Sequence, residues 1–278
     1  MPRDGTKLLA VLIDADNVSA HTAEAILREI AVYGEPGLRR VYGDWSNPSL
    51  GAWKKVALDL GLVTQQQSAN TKGKNASDIG LVIDAMDILH GGKFDSFVLV
   101  SSDSDFTRLA SRIREDGLEV IGIGEQKTPP ALRNVCNRFV FIENILRDMD
   151  GPELAKSEVK KPDQVLPSPA RTEPKSQGAE TPGPSEKTVL PADALAQPAL
   201  AKEPITKSIP LVRKAMNTID PDGEWYSLGQ LGQFIQRENT DFDPRTYGCS
   251  KLSDLLKRSG GFEIRQGAGN HLEVRRKG

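Results

Sequence analysis

The sequence predicts an α/β domain built on a parallel sheet, a disordered linker, and a small winged-helix (α+β) C-terminal domain. Three observations carry this. Before residue 150, short apolar runs alternate with stretches of helical spacing, the pattern of a parallel sheet covered by helices on both faces. From Gly151 to Pro204 the chain holds ten of its 18 prolines and no aromatic residue, and such a stretch buries too little apolar surface to offset its ordering entropy. After it, three helical stretches precede two alternating strands around a Gly-rich turn. The predicted domains are therefore 1–150 and 205–278, with the Pro-rich linker at 151–204.

Taken in order, LLAVLID (8–14) reads as a buried strand that ends on a carboxylate. Ala20–Tyr33 has helical spacing with Ser19 as its N-cap. LRRVYGD (38–44) is a second strand, Leu50–Leu60 a helix and LVTQQQ (62–67) a third strand. Ser77–Leu89 is a helix, with Ile79, Val82, Ile83 and Met86 on one face. FVLVSSD (97–103) is a fourth strand, followed by a helix to about Glu115 and a fifth strand, LEVIGIG (118–124); RFVFIE (138–143) is a candidate sixth. In the last segment Ser208–Ile219 is helical, and Ser227 precedes a helix whose Leu228, Leu231, Phe234 and Ile235 share a face. CSKLSDLLKRSG repeats that pattern and stops at Gly-Gly. FEIRQGAGNHLEVRR then alternates like a hairpin.

Composition excludes several classes. No run approaches the roughly 20 apolar residues that span a bilayer, so no membrane partner is expected. The short N-terminal apolar stretch ends in acidic residues, unlike a signal peptide. Cys136 and Cys249 lie far apart, which argues against a disulfide framework or a Cys-rich zinc site and fits a reducing, cytoplasmic setting. His21, His90 and His271 form no spaced pair for zinc. The net charge of −2 is uneven: residues 1–150 carry −4 and residues 205–278 carry +3, as a metal site joined to a nucleic-acid binder would.

The informative residues are Asp14, Asp16 and Asn17 after the first strand and Asp103 and Asp105 after the fourth. Ligands of parallel sheets bind outside the carboxyl ends of strands, so the two groups should meet. Asp78, beside the loop KGKNAS, joins them more readily than Asp84, six positions further along the same helix. Clustered carboxylates repel, and a hard cation such as Mg²⁺ or Mn²⁺ offsets that repulsion. Taken singly, Asp14 and Asp103 also suit helix caps; two acidic pairs after two strands favour the metal. Ser101 and Ser102 either position a phosphate or water or form the turn. Lys72 and Lys74 either contact a backbone phosphate or are simply solvated, and Trp45 and Trp53 either stack a base or pack in the core.

LAVLIDADNVS, SDIGLVIDAMDIL and FVLVSSDSDFTRLASRIREDGLEVIGIG together resemble the NYN domain, a PIN-like nuclease family that includes the bacterial LabA-like proteins. The resemblance covers about residues 6–145. It implies a PIN-like Rossmannoid fold and divalent-metal-dependent cleavage of RNA, with Asp14, Asp78, Asp103 and Asp105 as catalytic metal ligands and Asn17 as companion of Asp14. It also leaves open a homodimer, and a role for Asp84.

Over about residues 205–275, W-Y-S-L-x-x-L-G, D-F-D-x-R-x-Y-G-x-x-K-L-S-D-L-L and F-E-I resemble the OST-HTH/LOTUS domain, a winged-helix RNA-binding module. The resemblance implies a core of Trp225, Leu228, Leu231, Phe234, Phe242, Tyr247, Leu252, Leu255 and Leu256. Candidate RNA contacts are Arg245, Lys251, Lys257, Arg258 and the wing residues Arg265, Arg275 and Arg276; a protein partner is the alternative. Three functional readings follow: a ribonuclease to which the tethered module delivers RNA, a non-catalytic RNA-binding regulatory adaptor, and a phosphatase of the haloacid dehalogenase class. The third rests on Asp14–Val18 (D-A-D-N-V) and lacks a convincing partner lysine.

Overall fold

A computed structural model of the chain describes residues 5–66, 76–149, 202–267, 269 and 271–277. The predicted linker lies, up to residue 201, outside the described residues. Six parallel strands form the first sheet: β1 (Leu8–Asp14), β2 (Glu35–Gly43), β3 (Val63–Gln66), β4 (Ser96–Val100), β5 (Glu119–Gly124) and β6 (Arg138–Phe141). Their order is β3-β2-β1-β4-β5-β6. The chain winds outward from β1 to β3, then crosses back to β4 and winds the other way. The reversal falls between β1 and β4, where doubly wound sheets open a crevice at the carboxyl ends of their strands.

β1 and β4 pair from Leu9↔Ser96 to Ile13↔Val100. Both are central and covered on both sides, which is why their runs are apolar without alternation. On one face Leu9, Val11, Ile13, Val98 and Val100 pack against Ile26 and Ile30 of α1 (Ala23–Ile30), Trp53 of α2 (Gly51–Asp59) and Ile145 of α6 (Ile142–Met149). On the other, Ala10, Leu12, Phe97 and Leu99 meet Leu81 and Ala85 of α3 (Ala76–His90), Leu109 and Ile113 of α4 (Thr107–Glu115) and Leu132 of α5 (Pro130–Val135). Burying each such Leu or Ile contributes about 1.5–3 kcal/mol.

The apolar face read for α3 is not the one it buries. Leu81, Ala85 and Leu89 are buried, Val82 and Met86 flank them, and Ile79 and Ile83 are 62% and 58% exposed. Apolar residues surround this helix, so spacing alone does not fix its rotation. Asp84 fixes it instead, accepting hydrogen bonds from the Arg40 guanidinium and the Tyr42 hydroxyl, both on β2. Two further helices, α5 and α6, escaped the sequence reading: α5 is only six residues long and opens on Pro130 behind Pro129, and α6 follows β6 without a loop.

In the C-terminal part, α7 (Ser208–Ile219), α8 (Leu228–Glu238) and α9 (Leu252–Ser259) pack on a small antiparallel sheet of β7 (Tyr226–Ser227), β9 (Leu272–Arg276) and β8 (Phe262–Gln266), in that order. Gly260 ends α9 in the left-handed region at φ +71°, as the predicted Gly-Gly stop requires. Val212, Met216, Leu231, Ile235, Phe242, Leu255, Leu256 and Val274 form the core. Trp225, predicted there, lies outside it. The guanidinium carbons of Arg265 and Arg275 lie 3.8 and 4.7 Å from the centre of a Trp225 ring, so the wing cations cover the indole by cation–π contact.

The outer edge of β6 is not bare. The Phe139 N–H donates to the Thr240 carbonyl at 2.8 Å, so the segment after α8 covers an edge that would otherwise offer unpaired backbone groups.

Candidate metal centre and nucleic-acid interface

β1 ends on Asp14 and β4 ends at Val100, one residue before Ser101. The sheet reversal therefore sets these two chain segments side by side. Asp14 is 1% exposed. Its carboxylate accepts from the Asn17 side-chain amide at 2.6 Å, from the Ser101 hydroxyl at 2.9 Å and from the Asp16 N–H at 3.1 Å. Burial pushes the Asp14 carboxyl above its ordinary value, and the Asn17 and Ser101 hydrogen bonds only partly offset that.

Ser101 Oγ also accepts from the Asp103 N–H at 3.1 Å, and Asp103 in turn accepts from the Asp105 N–H at 2.9 Å. Asp103 thus caps the 3-10 turn Ser104–Phe106. The helix-cap and metal-ligand readings are compatible, since a capping carboxylate keeps a free oxygen. Ser102 Oγ accepts from the Glu125 N–H at 2.9 Å and ties the end of β4 to the end of β5. A side chain at Gly124 would meet the Ser101 carbonyl at 2.7 Å, so glycine is what lets β5 approach the turn so closely. Ser101 and Ser102 are both buried; they order the site.

α3 contributes Asp78 from above. Carboxylate oxygens of Asp78, Asp103 and Asp105 all lie within 4.8 Å of one another. Burial, and then the like charges of Asp14, Asp103, Asp105 and Asp16, push the Asp78 carboxyl up to about 6. Asp16 thereby joins the crevice as a further carboxylate. Asp84 does not; it anchors the helix that carries Asp78. Beside the cluster a cleft of about 410 Å³ is lined by Asp16, Asn17, Ser19, His21, Ser49 and Trp53, among others. His21 had no motif to reveal it. Trp53 is buried with its indole N–H on the Val18 carbonyl, and half-buried Trp45 donates to the Gln65 carbonyl. Lys72 and Lys74 lie outside the described residues.

The candidate RNA contacts of the C-terminal part separate into two sets. Lys251 and Lys257 are exposed on α9 and its N-cap. The others are engaged: Arg258 with the Gly248 carbonyl, Arg265 with Glu273, Arg275 with Glu263 and Glu224, and Arg276 with the Arg213 carbonyl and the Asn217 side chain. Arg245 is the most enclosed. Its guanidinium donates twice to Glu29 (2.9 and 3.0 Å), to Asp148 (2.9 Å) and to Asp243 (2.7 to 3.1 Å). Burial works against its charge, but Glu29, Asp243 and Asp148 more than compensate and hold its pKa above the ordinary value.

Two family models match: the NYN domain at residues 8–143 and the OST-HTH/LOTUS domain at residues 200–274. No curated protein matches the chain. Among solved structures, the chain is similar to a protein of unknown function, VPA0982, from Vibrio parahaemolyticus (22% identity, 52% of this chain and 98% of that one, TM-score 0.44). It is also similar to an uncharacterized protein from gene locus NE0665 of Nitrosomonas europaea (32% identity, 34% of this chain and 92% of that one, TM-score 0.23). A third similarity is to the MurG of Acinetobacter baumannii (13% identity, 49% and 40%, TM-score 0.34).

Proposed function

From a chain that carries an NYN domain followed by an OST-HTH/LOTUS domain, we infer a divalent-metal-dependent ribonuclease that hydrolyses RNA phosphodiester bonds at its aspartate cluster, with the OST-HTH domain binding the RNA. One observation carries the reading most directly. Three carboxylates from two separate elements converge within 4.8 Å, beside a fourth that is almost wholly buried, at the switch point of the sheet. All the donors are oxygen, which suits Mg²⁺ or Mn²⁺ and not a thiolate- or imidazole-seeking ion. The raised Asp78 carboxyl marks a site that gains by admitting positive charge.

Asp14, Asp78, Asp103 and Asp105 are the residues to hold the ion. When bound, it supplies positive charge to the phosphodiester and a water acidic enough to attack phosphorus. The chain's own residues supply the order. Asn17 and Ser101 orient Asp14, Ser101 and the Asp105 N–H fix the turn that presents Asp103, and Arg40 and Tyr42 hold α3 so that Asp78 faces the crevice. Asn17 is within reach of the same space, and Lys251 and Lys257 are the cations most available to phosphates.

The test is cleavage of labelled single-stranded and structured RNAs with Mn²⁺, Mg²⁺ or EDTA, comparing the native chain with Asp103→Asn. Metal-dependent cutting that the substitution abolishes, with RNA binding retained, supports the reading. Binding without cutting under either metal rejects it and leaves the regulatory adaptor.

A further inference from the structure

We propose that the OST-HTH domain is clamped to the β6 edge of the NYN domain through Arg245, so that RNA on its outer face reaches the aspartate crevice from a fixed position. Arg245 is then a positioning residue and not an RNA ligand. Its motif location, D-F-D-x-R, suggested RNA contact; its surroundings point elsewhere.

The argument rests on what Arg245 touches. A bidentate pair to Glu29 of α1 is joined by Asp148 of α6 and by Asp243 of its own turn, and the side chain is 12% exposed. A guanidinium saturated by three carboxylates has no donor left for a phosphate, and removing it would leave Glu29 and Asp243, both largely buried, without their cation. Around it the junction is polar and matched. Fully buried Asn144 of α6 donates to Thr246 Oγ1 at 2.8 Å, Arg147 donates to the Arg245 carbonyl at 3.0 Å, Arg133 of α5 pairs with Asp241 at 2.5 Å, and Thr240 Oγ1 donates to the Arg133 carbonyl at 2.8 Å. With the Phe139–Thr240 backbone bond, the segment 240–246 reads β6 and the helices beside it almost residue by residue. Surface ion pairs alone contribute little; here buried partners and a covered strand edge stand behind them.

The placement has a consequence for the proposed ribonuclease, on which this part of the inference rests. β6 lies two strand positions from β4, about 10 Å at the usual strand spacing of ~4.8 Å. RNA held on the docked OST-HTH surface therefore stands at a fixed position relative to the crevice, and its delivery does not depend on the length of the segment joining the domains.

The experiment reads one amide. Among the described residues the outward Phe139 N–H has no partner in the sheet on that side, so its hydrogen-exchange protection reports the docking. In the full chain it is expected to exchange about ten-fold or more slowly than an open edge amide. Arg245→Ala and, from the opposite side, Glu29→Arg should remove that protection while the amides of Leu231 and Leu255 stay slow, which shows the domain still folded. In the same variants RNA affinity of the chain should be kept, KM for long RNA should rise, and kcat on a short oligonucleotide should not change. A Phe139 amide that exchanges freely in the native chain, or that stays protected in both variants, overturns the proposal. So does loss of RNA binding in Arg245→Ala with Phe139 still protected. If no RNA is cut at all, the nuclease reading fails, and the exchange data decide the docking on their own.

Discussion

Two carboxylate clusters in this chain differ in what holds them. At the domain junction Glu29, Asp148 and Asp243 surround a guanidinium. In the crevice Asp14 is held by an amide, a hydroxyl and a backbone N–H, and Asp103 accepts from a backbone N–H, while Asp78 feels mainly burial and four other carboxylates. The two respond to protons in opposite directions. Burial alone would raise Glu29, but hydrogen bonds from Arg245 and Tyr33 hold it below its ordinary value, whereas Asp78 is pushed up to about 6. A cluster that contains its cation contributes stability; one held among like charges costs stability.

The largest expected effect separates the clusters by function. Asp78→Asn should lower metal-dependent RNA cleavage about a thousand-fold, since several kcal/mol of charge stabilisation are lost. The same substitution should stabilise the metal-free fold at pH 7, by on the order of 1 kcal/mol after discounting for solvent screening. Glu29→Gln should do the reverse, leaving cleavage chemistry intact and lowering the melting temperature. Calorimetry on both variants, with chelator, breaks the comparison if their shifts have the same sign.

The pH dependence follows with definite signs. Asp78 has a folded value near 6 against an ordinary 3.8, so its contribution favours the fold at low pH and is lost as pH rises between those values. Glu29 is lowered from 4.5, so its contribution is present above that value and is lost as pH falls through the folded value. Melting curves of the native chain from pH 2.5 to 7, minus those of each variant, should change in opposite directions, the Asp78 difference between about 3.8 and 6 and the Glu29 difference below 4.5. Saturating Mn²⁺ should flatten only the Asp78 difference.

A smaller effect tests how the crevice is aimed. Tyr42→Phe leaves one oxygen of Asp84 without its donor and should cost about 1 kcal/mol, read by chemical denaturation. A larger loss of cleavage than this destabilisation accounts for would show that Asp84, through α3, sets the position of Asp78.

Much of this was legible in the sequence because each signal was local. The strand ending at Asp14 and the one read as running to Asp103, which stops three residues earlier at Val100, are visible as apolar runs, and the switch-point rule then brings the carboxylates together without any contact being known. The rotation of α3 was not legible, because apolar residues surround the helix and the deciding contact, Arg40 and Tyr42 on Asp84, spans 44 and 42 positions. The ion pairs of Arg245 were not legible for the same reason: its partner Glu29 lies 216 residues away, and a basic residue in an RNA-binding motif shows nothing of the carboxylates that hold it. Trp225 misled because an aromatic ring can be covered by cations as well as by a core.

The same distinction between claimed and unclaimed cations gives the finest test. Lys257 is exposed in the last turn of α9, whereas Arg275 is held by Glu263 and Glu224 beside Trp225. Releasing a phosphate-neutralising lysine changes the logarithmic salt slope of single-strand binding by about 0.7, so Lys257→Ala should lower RNA affinity and flatten that slope. Arg275→Ala should leave the slope unchanged, because its charge is already balanced within the wing, and should instead alter Trp225 fluorescence by uncovering one side of the indole. Equal slope changes in both variants would mean that the wing opens its ion pairs to bind RNA, and the contrast between paired and free cations would then hold at the junction but not at the wing.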